Sequence, residues 1–405
     1  MSSSAAHTRE LIVALTLATL AQAVISMAVY APAVLAPAAQ AEIGLTANSV
    51  GIFTALVFLA AAYAAPLGGA SVMRNGPVRV SQRCLLWAAG GIVLFASAVP
   101  LVIAAGALAM GLAYGPITPA SSAMLAARTP DRLRNIIMSI RQSGVTLGGV
   151  FAGVLLPVLS VAWGWRTAAL VVAVVCVLFA LFLQTARERF DAERTGTRPP
   201  GHGSHLFLLR MVLRQRELRL GAFTSFTYAG AQMCFGSFLV VFLTERTGMS
   251  LIDAGAAYSS AMLAGIAGRM AWGGLADYFD RARLVLGLLG VTMTLCTLAI
   301  TLVSPQWPYA AVIALCAACG ASAFGWNGVY IAEVARITSG ENVALATGAV
   351  ITFNFLGIVV MPVVFWLTVV LTGSYTPAFV LIGVATLAGS LPYFMFARFR
   401  TTEPR

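Results

Sequence analysis

The sequence predicts an all-α integral membrane protein, and three observations lead to that prediction. Of its 405 residues, 60% are hydrophobic and only 10% are charged, whereas a soluble domain carries about 25% charged residues. The apolar residues form long runs, and each run approaches the ~20 residues that a helix needs to cross a bilayer. The sequence has no lysine, and its arginines cluster in short segments between these runs. The lipid bilayer is therefore the expected surroundings of this chain.

The net charge of +11 does not indicate a nucleic-acid partner. Arginines that recur in short segments between apolar runs follow the positive-inside pattern of membrane proteins. Every second segment between the apolar runs carries most of the arginines, and we place these segments on the cytoplasmic side. The segments on the outer side hold only Arg166 and Arg246. We therefore expect a multi-pass protein of the cell membrane, inner or plasma membrane, with both termini in the cytoplasm.

We predict twelve membrane-spanning helices in the apolar runs. They cover roughly residues 11–38, 47–71, 81–98, 101–126, 135–160, 167–185, 219–243, 253–276, 284–304, 308–334, 344–370 and 375–397. The first run is too long for the apolar core of a signal peptide, which has ~7–15 residues. We therefore count it as the first span.

A polar segment divides the chain into two similar halves. We predict a bundle of six helices at residues 1–185, a cytoplasmic linker at 186–218 and a second bundle of six helices at 219–405. Three positions recur 204 residues later in the chain, with Gly51, Gly69 and Arg79 repeated as Gly255, Gly273 and Arg283. Repeated halves of this kind build transporters whose substrate binds near the middle of the membrane.

The loops after the second and eighth spans share a pattern of glycine, acidic and basic residues. The positions that fit are Gly69, Arg74, Gly76 and Arg79 in the first copy, and Gly273, Asp277, Arg281 and Arg283 in the second. Met73 stands where the pattern has an acid. Glycine lets two helices approach closely, and a carboxylate at a helix C-terminus needs a basic partner because the helix dipole disfavours it there. We predict that these loops gate the protein, and a plain helix end with positive-inside charge is the alternative.

This loop pattern resembles the signature loop of the major facilitator superfamily, and with the twelve spans the resemblance covers essentially the whole chain. It implies two six-helix bundles that rock around a bound substrate in alternating access. It also implies a transporter that is no enzyme, needs no cofactor and works as a monomer on a small molecule.

Two short stretches resemble the monocarboxylate and oxalate/formate anion transporters of that superfamily. One is Arg269-Met270-Ala271-Trp272-Gly273 in the eighth span, and the other is the run 320–326 in the tenth span, followed by Glu333. Those carriers often add a basic residue in the first or eleventh span. Here the first span has no charge in its apolar part, and the eleventh offers Asn354 instead.

Two arginines lie well inside predicted spans, away from the first turn, where an ionisable residue is costly and by default functional. They are Arg269 in the eighth span and Arg141 in the fifth, and no Asp or Glu lies in the central part of any span. Arginine binds a carboxylate bidentately and stays charged, so we expect an anionic substrate. The alternatives are a bond from Arg269 to backbone carbonyls or to Asp277, and an Arg141 side chain that extends to the membrane interface.

Other polar and aromatic residues inside spans complete the predicted substrate site. With Arg269 and Arg141, the predicted ligands are Tyr30, Tyr114, Tyr228, Gln232, Asn327 and Asn354. Each of these alone could equally form a hydrogen bond between helices. The six cysteines lie in or beside apolar runs without a neighbouring His or acid, so we predict no metal site and no disulfide framework.

We therefore predict a secondary transporter of a small, monocarboxylate-like organic anion. With no acid in the centre of a span, a proton would travel together with the anion, or the protein would exchange anions. A drug or hydrophobic-compound efflux carrier of the same superfamily is the first alternative, although it predicts an acid in the central cavity. A membrane sensor that does not transport is the second, although the linker and tails are too short for a signalling domain.

Overall fold

The computed structural model describes residues 2–126, 128–130, 134–192, 212–279, 281–337 and 343–397. The regular structure of these residues is helical, and twelve stretches are long and apolar enough to cross a membrane. The helices are α1 (Ser2–Ile43), α2 (Val50–Asn75), α3 (Pro77–Phe95), α4 (Pro100–Ala126), α5 (Arg134–Trp163), α6 (Trp165–Leu183), α7 (Arg187–Phe190), α8 (Arg216–Thr247), α9 (Leu251–Phe279), α10 (Ala282–Ile300), α11 (Tyr309–Ala323), α12 (Trp326–Ile337), α13 (Val343–Thr372) and α14 (Tyr375–Ala397). The predicted all-α fold class with twelve spans is confirmed.

The chain divides into two compact units, Met1–Gly201 and His202–Arg405. In the first unit, α1 packs along α5, α2 packs along α4, and α3 packs against both α4 and α6. Helix α1 also contacts α4 and α6. Most of the predicted linker, residues 193–211, lies outside the described residues, so its boundaries stay a prediction.

The second unit repeats this packing with its own helices. Helix α8 packs along α13, α9 along α11, and α10 against both α11 and α14. In each unit the first span thus pairs with the fifth, the second with the fourth and the third with the sixth. Gly164 and Gly373, which precede the sixth span of their units, both have positive φ, 85° and 64°. The internal packing therefore agrees with the repeat inferred from the sequence.

Glycines let the paired helices approach closely. A Cβ on Gly148 of α5 would overlap the carbonyl oxygen of Ala23 on α1. In the second unit, a Cβ on Gly357 of α13 would overlap the carbonyl oxygen of Phe226 on α8. Membrane helices associate through such small residues because lipid supplies no hydrophobic drive between them.

The tenth span is two helices, whereas the sequence predicted one helix over residues 308–334. Helix α11 ends at Ala323 and α12 begins at Trp326. Between them, the backbone N–H of Gly325 donates to Ser322 O at 3.3 Å, a bond three residues back in place of the usual four. Glycine is a poor helix former, and the donors that satisfy the freed carbonyls come from another helix, which no local pattern reveals.

The first residues of the predicted linker are folded against the first unit. Helix α7 is a single turn whose last residue, Phe190, is 2% exposed. The guanidinium carbon of Arg128 lies 4.7 Å from the centroid of the Phe190 ring, within range of a cation–π contact. The composition predicted a solvated segment here, and one apolar residue among charged neighbours accounts for the difference.

Candidate functional site

Arg269 lies deep within its span, ten residues from the nearer end at Phe279. At 1.5 Å per residue, that distance is about 15 Å. Its half-buried side chain donates from Nε to the carbonyl oxygen of Phe324 at 2.9 Å. A carbonyl has no formal charge, so this bond orients the guanidinium without neutralising it. The bond to a backbone carbonyl, which was the alternative considered for Arg269, is therefore present, and its role as an anion ligand stays a prediction.

The carbonyl that Arg269 binds belongs to the interruption between α11 and α12. Trp272, one turn further along α9, donates from its indole Nε1 to Ala321 O at 3.2 Å, also at this interruption. Residues three apart on a helix share a face, so Arg269 and Trp272 reach the same segment of the tenth span. Helix α9 thus supplies two hydrogen-bond donors to the break.

Gln232 and Asn327, both predicted ligands, contact each other at the same place. The side-chain oxygen of Gln232 on α8 accepts a hydrogen bond from Asn327 Nδ2 at 3.2 Å and one from Trp326 Nε1 at 3.0 Å. These bonds attach α8 to the first turn of α12. In the second unit, the structure therefore brings Arg269, Gln232 and Asn327 to one short segment of the tenth span.

Tyr228 lies one turn before Gln232 on α8 and is fully buried. Its hydroxyl donates to the carbonyl oxygen of Leu286 on α10 at 2.9 Å, and its ring meets Trp326 edge to face at 5.6 Å. These contacts join three helices. The placement favours a packing role for Tyr228, and its contact with a substrate stays a prediction.

In the first unit, Arg141 is buried with 6% of its surface exposed. Its guanidinium donates to the hydroxyl of Ser121 on α4 at 3.1 Å and to the side-chain oxygen of Gln142 at 2.8 Å. An arginine that extended to the membrane interface would be exposed, so the geometry differs from that alternative. Whether Arg141 binds an anion stays a prediction.

The three remaining predicted ligands lie on separate helices. Tyr30 of α1 is buried, while Tyr114 of α4 and Asn354 of α13 are half-buried. The ring of Tyr114 packs edge to face on Phe58 at 5.2 Å.

The second gating loop is held through Arg283, at the start of α10. Its Nε donates to Glu333 of α12, and its Nη2 lies 2.9 Å from a carboxylate oxygen of Glu217 on α8. The Glu333 side chain is 1% exposed and that of Glu217 is 46% exposed. The arginine therefore joins the ends of three helices within one unit.

The glycine and the acid of that loop lie at least partly exposed on their unit. Asp277 is exposed in the last turn of α9, and none of the ion pairs recorded among the described residues includes it. Arg281 is exposed as well. A Cβ on Gly273 would meet nothing within 4 Å. The part that Gly273 and Asp277 play in a gate stays a prediction, and Arg283 makes the ion pairs recorded for the described part of this loop.

The first gating loop is held by an acid that comes from outside it. Gly76 joins α2 to α3 with φ 88° and ψ 156°, a conformation that essentially only glycine adopts. The carboxylate of Asp191, just after α7, accepts backbone N–H bonds from Val78 at 2.8 Å and Arg79 at 3.1 Å. Asp191 therefore caps the first turn of α3, where the helix dipole favours an anion.

Comparisons with known proteins agree with this architecture. A model of the family described as Major Facilitator Superfamily matches residues 18–335. The chain belongs to the major facilitator superfamily. Its structure is similar to that of a bacterial homolog of the human lysosomal transporter Spinster, solved in an inward-facing and unoccupied conformation. The TM-score is 0.73 at 15% identity, and the match covers 96% of this chain and 97% of the other. A search of curated proteins found no match.

Membership in the superfamily makes this chain a membrane transporter.

Several residues around the candidate site were not identified from the sequence. Ser121 accepts from Arg141 and Trp272 donates to Ala321 O, and nothing in the local sequence indicates either contact. Asp191 lies 113 residues from Val78 and 112 residues from Arg79, the two positions whose backbone N–H groups it binds. Spacing rules apply within one helix or loop, so contacts of this range leave no local signal.

The six cysteines are all buried and free. Among the residues that the structure describes, no group of three or more His, Cys, Asp or Glu side chains is placed to hold a metal ion. The cysteines pack as small apolar side chains, as they commonly do in cores.

Proposed function

We propose that this member of the major facilitator superfamily transports a small organic anion of the monocarboxylate type. The observation that supports this most is the depth of Arg269, ten residues from the nearer end of its span. By contrast, every acidic residue within the twelve candidate spans lies within two residues of a span end. The deep part of the spans therefore contains a guanidinium and no carboxylate.

The chemistry of arginine fits this substrate class. Its planar guanidinium matches a carboxylate with two parallel hydrogen bonds, and it keeps its charge at any physiological pH. The bond to Phe324 O fixes the side chain at the interruption of the tenth span, three residues in sequence before Asn327, whose side chain bonds Gln232. Discontinuous helices in transporters place their free backbone ends at substrate sites, and the amides of Asn327 and Gln232 offer further polar contacts. Arg141 is the second proposed anion ligand, on the evidence of its own burial.

The proposal also bears on coupling. A drug exporter driven by protons needs an acidic group in the middle of the membrane, and the spans carry acids only near their ends. We therefore expect a proton to enter with the carboxylate, or one anion to be exchanged for another. Uptake into vesicles under an imposed pH gradient and counterflow without a gradient separate these two modes.

Uptake by purified protein in proteoliposomes tests the proposal. Radiolabelled formate, lactate and oxalate are offered to the wild type and to the variants R269Q, R269K and R166Q. Glutamine retains a donor for Phe324 O and removes the charge, whereas lysine retains the charge and loses the planar fork. Arg166 is the matched control, because it is half exposed and pairs with Glu42 at 3.1 Å at a span end.

We expect R269Q to lower carboxylate uptake by about 10- to 100-fold, since a charge-assisted bond contributes ~1.5–3 kcal/mol. R269K should retain part of the uptake, and R166Q should equal the wild type. Unchanged uptake by R269Q would contradict the anion site. Failure of the wild type to take up any carboxylate, together with uptake of hydrophobic cations, would establish the efflux alternative.

A further inference from the structure

The break in the tenth span leaves backbone carbonyls without their usual donors. In a continuous helix, Ala321 O would accept from Gly325 N, four residues on. Here Gly325 N donates to Ser322 O instead. A polar group without a partner inside a membrane costs several kcal/mol, so the carbonyls of the break need donors from elsewhere.

Helix α9 supplies these donors from one face. The indole N–H of Trp272 reaches Ala321 O at 3.2 Å, and Nε of Arg269 reaches Phe324 O at 2.9 Å. The two side chains are three residues apart, and so are the two carbonyls. Trp272 therefore bonds the last full turn of α11, and Arg269 bonds the first carbonyl after that helix ends.

Two glycines make room for this arrangement. A Cβ on Gly268 of α9 would overlap Ala321 O, so α9 can approach the break only with glycine at that position. A Cβ on Gly325 would lie 2.7 Å from Cδ1 of the Trp272 indole. The indole is thus enclosed by backbone on the side of the break, and its direction is fixed by packing as well as by its hydrogen bond.

We propose that Trp272 is a positioning residue for Arg269. By holding Ala321 O, the indole fixes where the interrupted backbone runs, and hence where Phe324 O sits one turn later. That carbonyl in turn sets the direction of the Arg269 guanidinium. The inference deepens the proposed function and rests on it, because the guanidinium so aimed is the proposed carboxylate ligand.

Loss of the indole N–H acts on binding geometry more than on the transport cycle. A displaced guanidinium meets the carboxylate at a poorer angle, and misplacement on the order of 1 Å can cost ~100-fold where geometry governs the rate. A change that weakens substrate binding alone raises KM and leaves the maximal rate unchanged. We therefore expect W272F to raise the KM for carboxylate uptake about tenfold, with the maximal rate within about twofold of wild type.

The matched control is Trp366 on α13. Its indole Nε1 is buried and donates to no described acceptor, so W366F makes the same chemical change without removing a hydrogen bond. Uptake kinetics of radiolabelled lactate are measured for the wild type, W272F, W366F, R269K and the double variant R269K/W272F. W366F should keep the wild-type KM. In the R269K background, W272F should change KM less than about twofold, because the fork that it positions is already gone.

A KM for W272F equal to that of W366F would overturn the proposal while leaving the anion site intact. An equal rise of KM in the R269K background would also overturn it, since Trp272 would then act without Arg269. A ligand-free measurement separates these outcomes from failure of the proposed function. The shifts in melting temperature of R269A, W272F and R269A/W272F from the wild type, measured in detergent micelles, should be non-additive, because both side chains bond carbonyls of one break and alanine removes the donor to Phe324 O. Additive shifts would overturn the coupling, whether or not the wild type transports carboxylates.

Discussion

The two loops predicted to gate the protein, residues 69–79 and 273–283, follow one sequence pattern but are held in opposite ways. In the first unit, a carboxylate from outside the loop, Asp191, binds the backbone N–H groups of Val78 and Arg79. In the second unit, the guanidinium of Arg283 binds the carboxylates of Glu333 and Glu217. Arg79 and Arg283 occupy the same repeat position, yet the first contributes its backbone and the second its side chain. A shared pattern therefore does not establish a shared contact.

This difference has a physical origin in the turns. Gly76 joins α2 directly to α3, so the first turn of α3 presents its free N–H groups to a buried acid. The repeat position of Gly76 in the second loop is Asp280, which lies outside the described residues. Helix α10 starts at Ala282, and the side chain of Arg283 reaches the ends of α8 and α12. Each loop is thus fixed by the polar groups that its own turn presents.

The largest expected effect is a difference in the loss of unfolding free energy between variants of Arg283 and Arg79. R283Q removes the ion pair between Arg283 and the buried carboxylate of Glu333, and removal of one member of a buried pair costs about 3 kcal/mol. R79Q removes a half-buried side chain for which the structure records no bond to a described residue, and should cost less than ~0.5 kcal/mol. Reversible SDS titration in mixed micelles measures both. Equal losses in the two variants would show that the loops are held alike after all.

Comparison of sequence and structure around these loops shows which features are predictable. The spans follow from apolar length, which is a property of neighbouring residues. The repeat follows from one spacing of glycine and arginine that occurs in both halves of the sequence. The importance of Arg269 and Arg283 follows from the cost of a charge in a span or at its end. Their partners Phe324, Glu333 and Glu217 are 50 or more residues away in sequence. The packing of helices that are distant in sequence determines these partners, and it cannot be predicted from the local sequence.

The interruption of the tenth span likewise could not be predicted from the local sequence. Gly320 and Gly325 could be read as packing residues of one continuous helix, and the sequence predicted that helix. The break becomes favourable only because Trp272 and Arg269 of α9 satisfy the carbonyls that it frees. Local helix propensity therefore predicts a helix in the tenth span, whereas the interruption of that helix depends on contacts with α9.

The second effect concerns the acid that holds the first loop. In D191N the side chain keeps its shape and loses its charge, so the N–H groups of Val78 and Arg79 lose a charge-assisted acceptor and the α3 dipole loses its anion. We expect a loss of about 2 kcal/mol in the unfolding free energy. E188Q, which changes an exposed acid of the adjacent turn, is the control and should leave stability unchanged. If D191N also leaves stability unchanged, Asp191 does not hold the first loop.

The smallest effect distinguishes the two acids that bind Arg283. The Glu217 side chain is 46% exposed, whereas that of Glu333 is 1% exposed. Water and salt screen an exposed pair, so E217Q should cost only about 0.5 kcal/mol, and that cost should vanish at ~1 M salt, where the Debye length is about 3 Å. Unfolding of wild type and E217Q in neutral detergent with denaturing urea, at low and high salt, measures the difference. A cost that persists at high salt would mean that Glu217 shares the buried pair equally with Glu333, and that the second loop is held by a three-residue cluster in place of one buried bond.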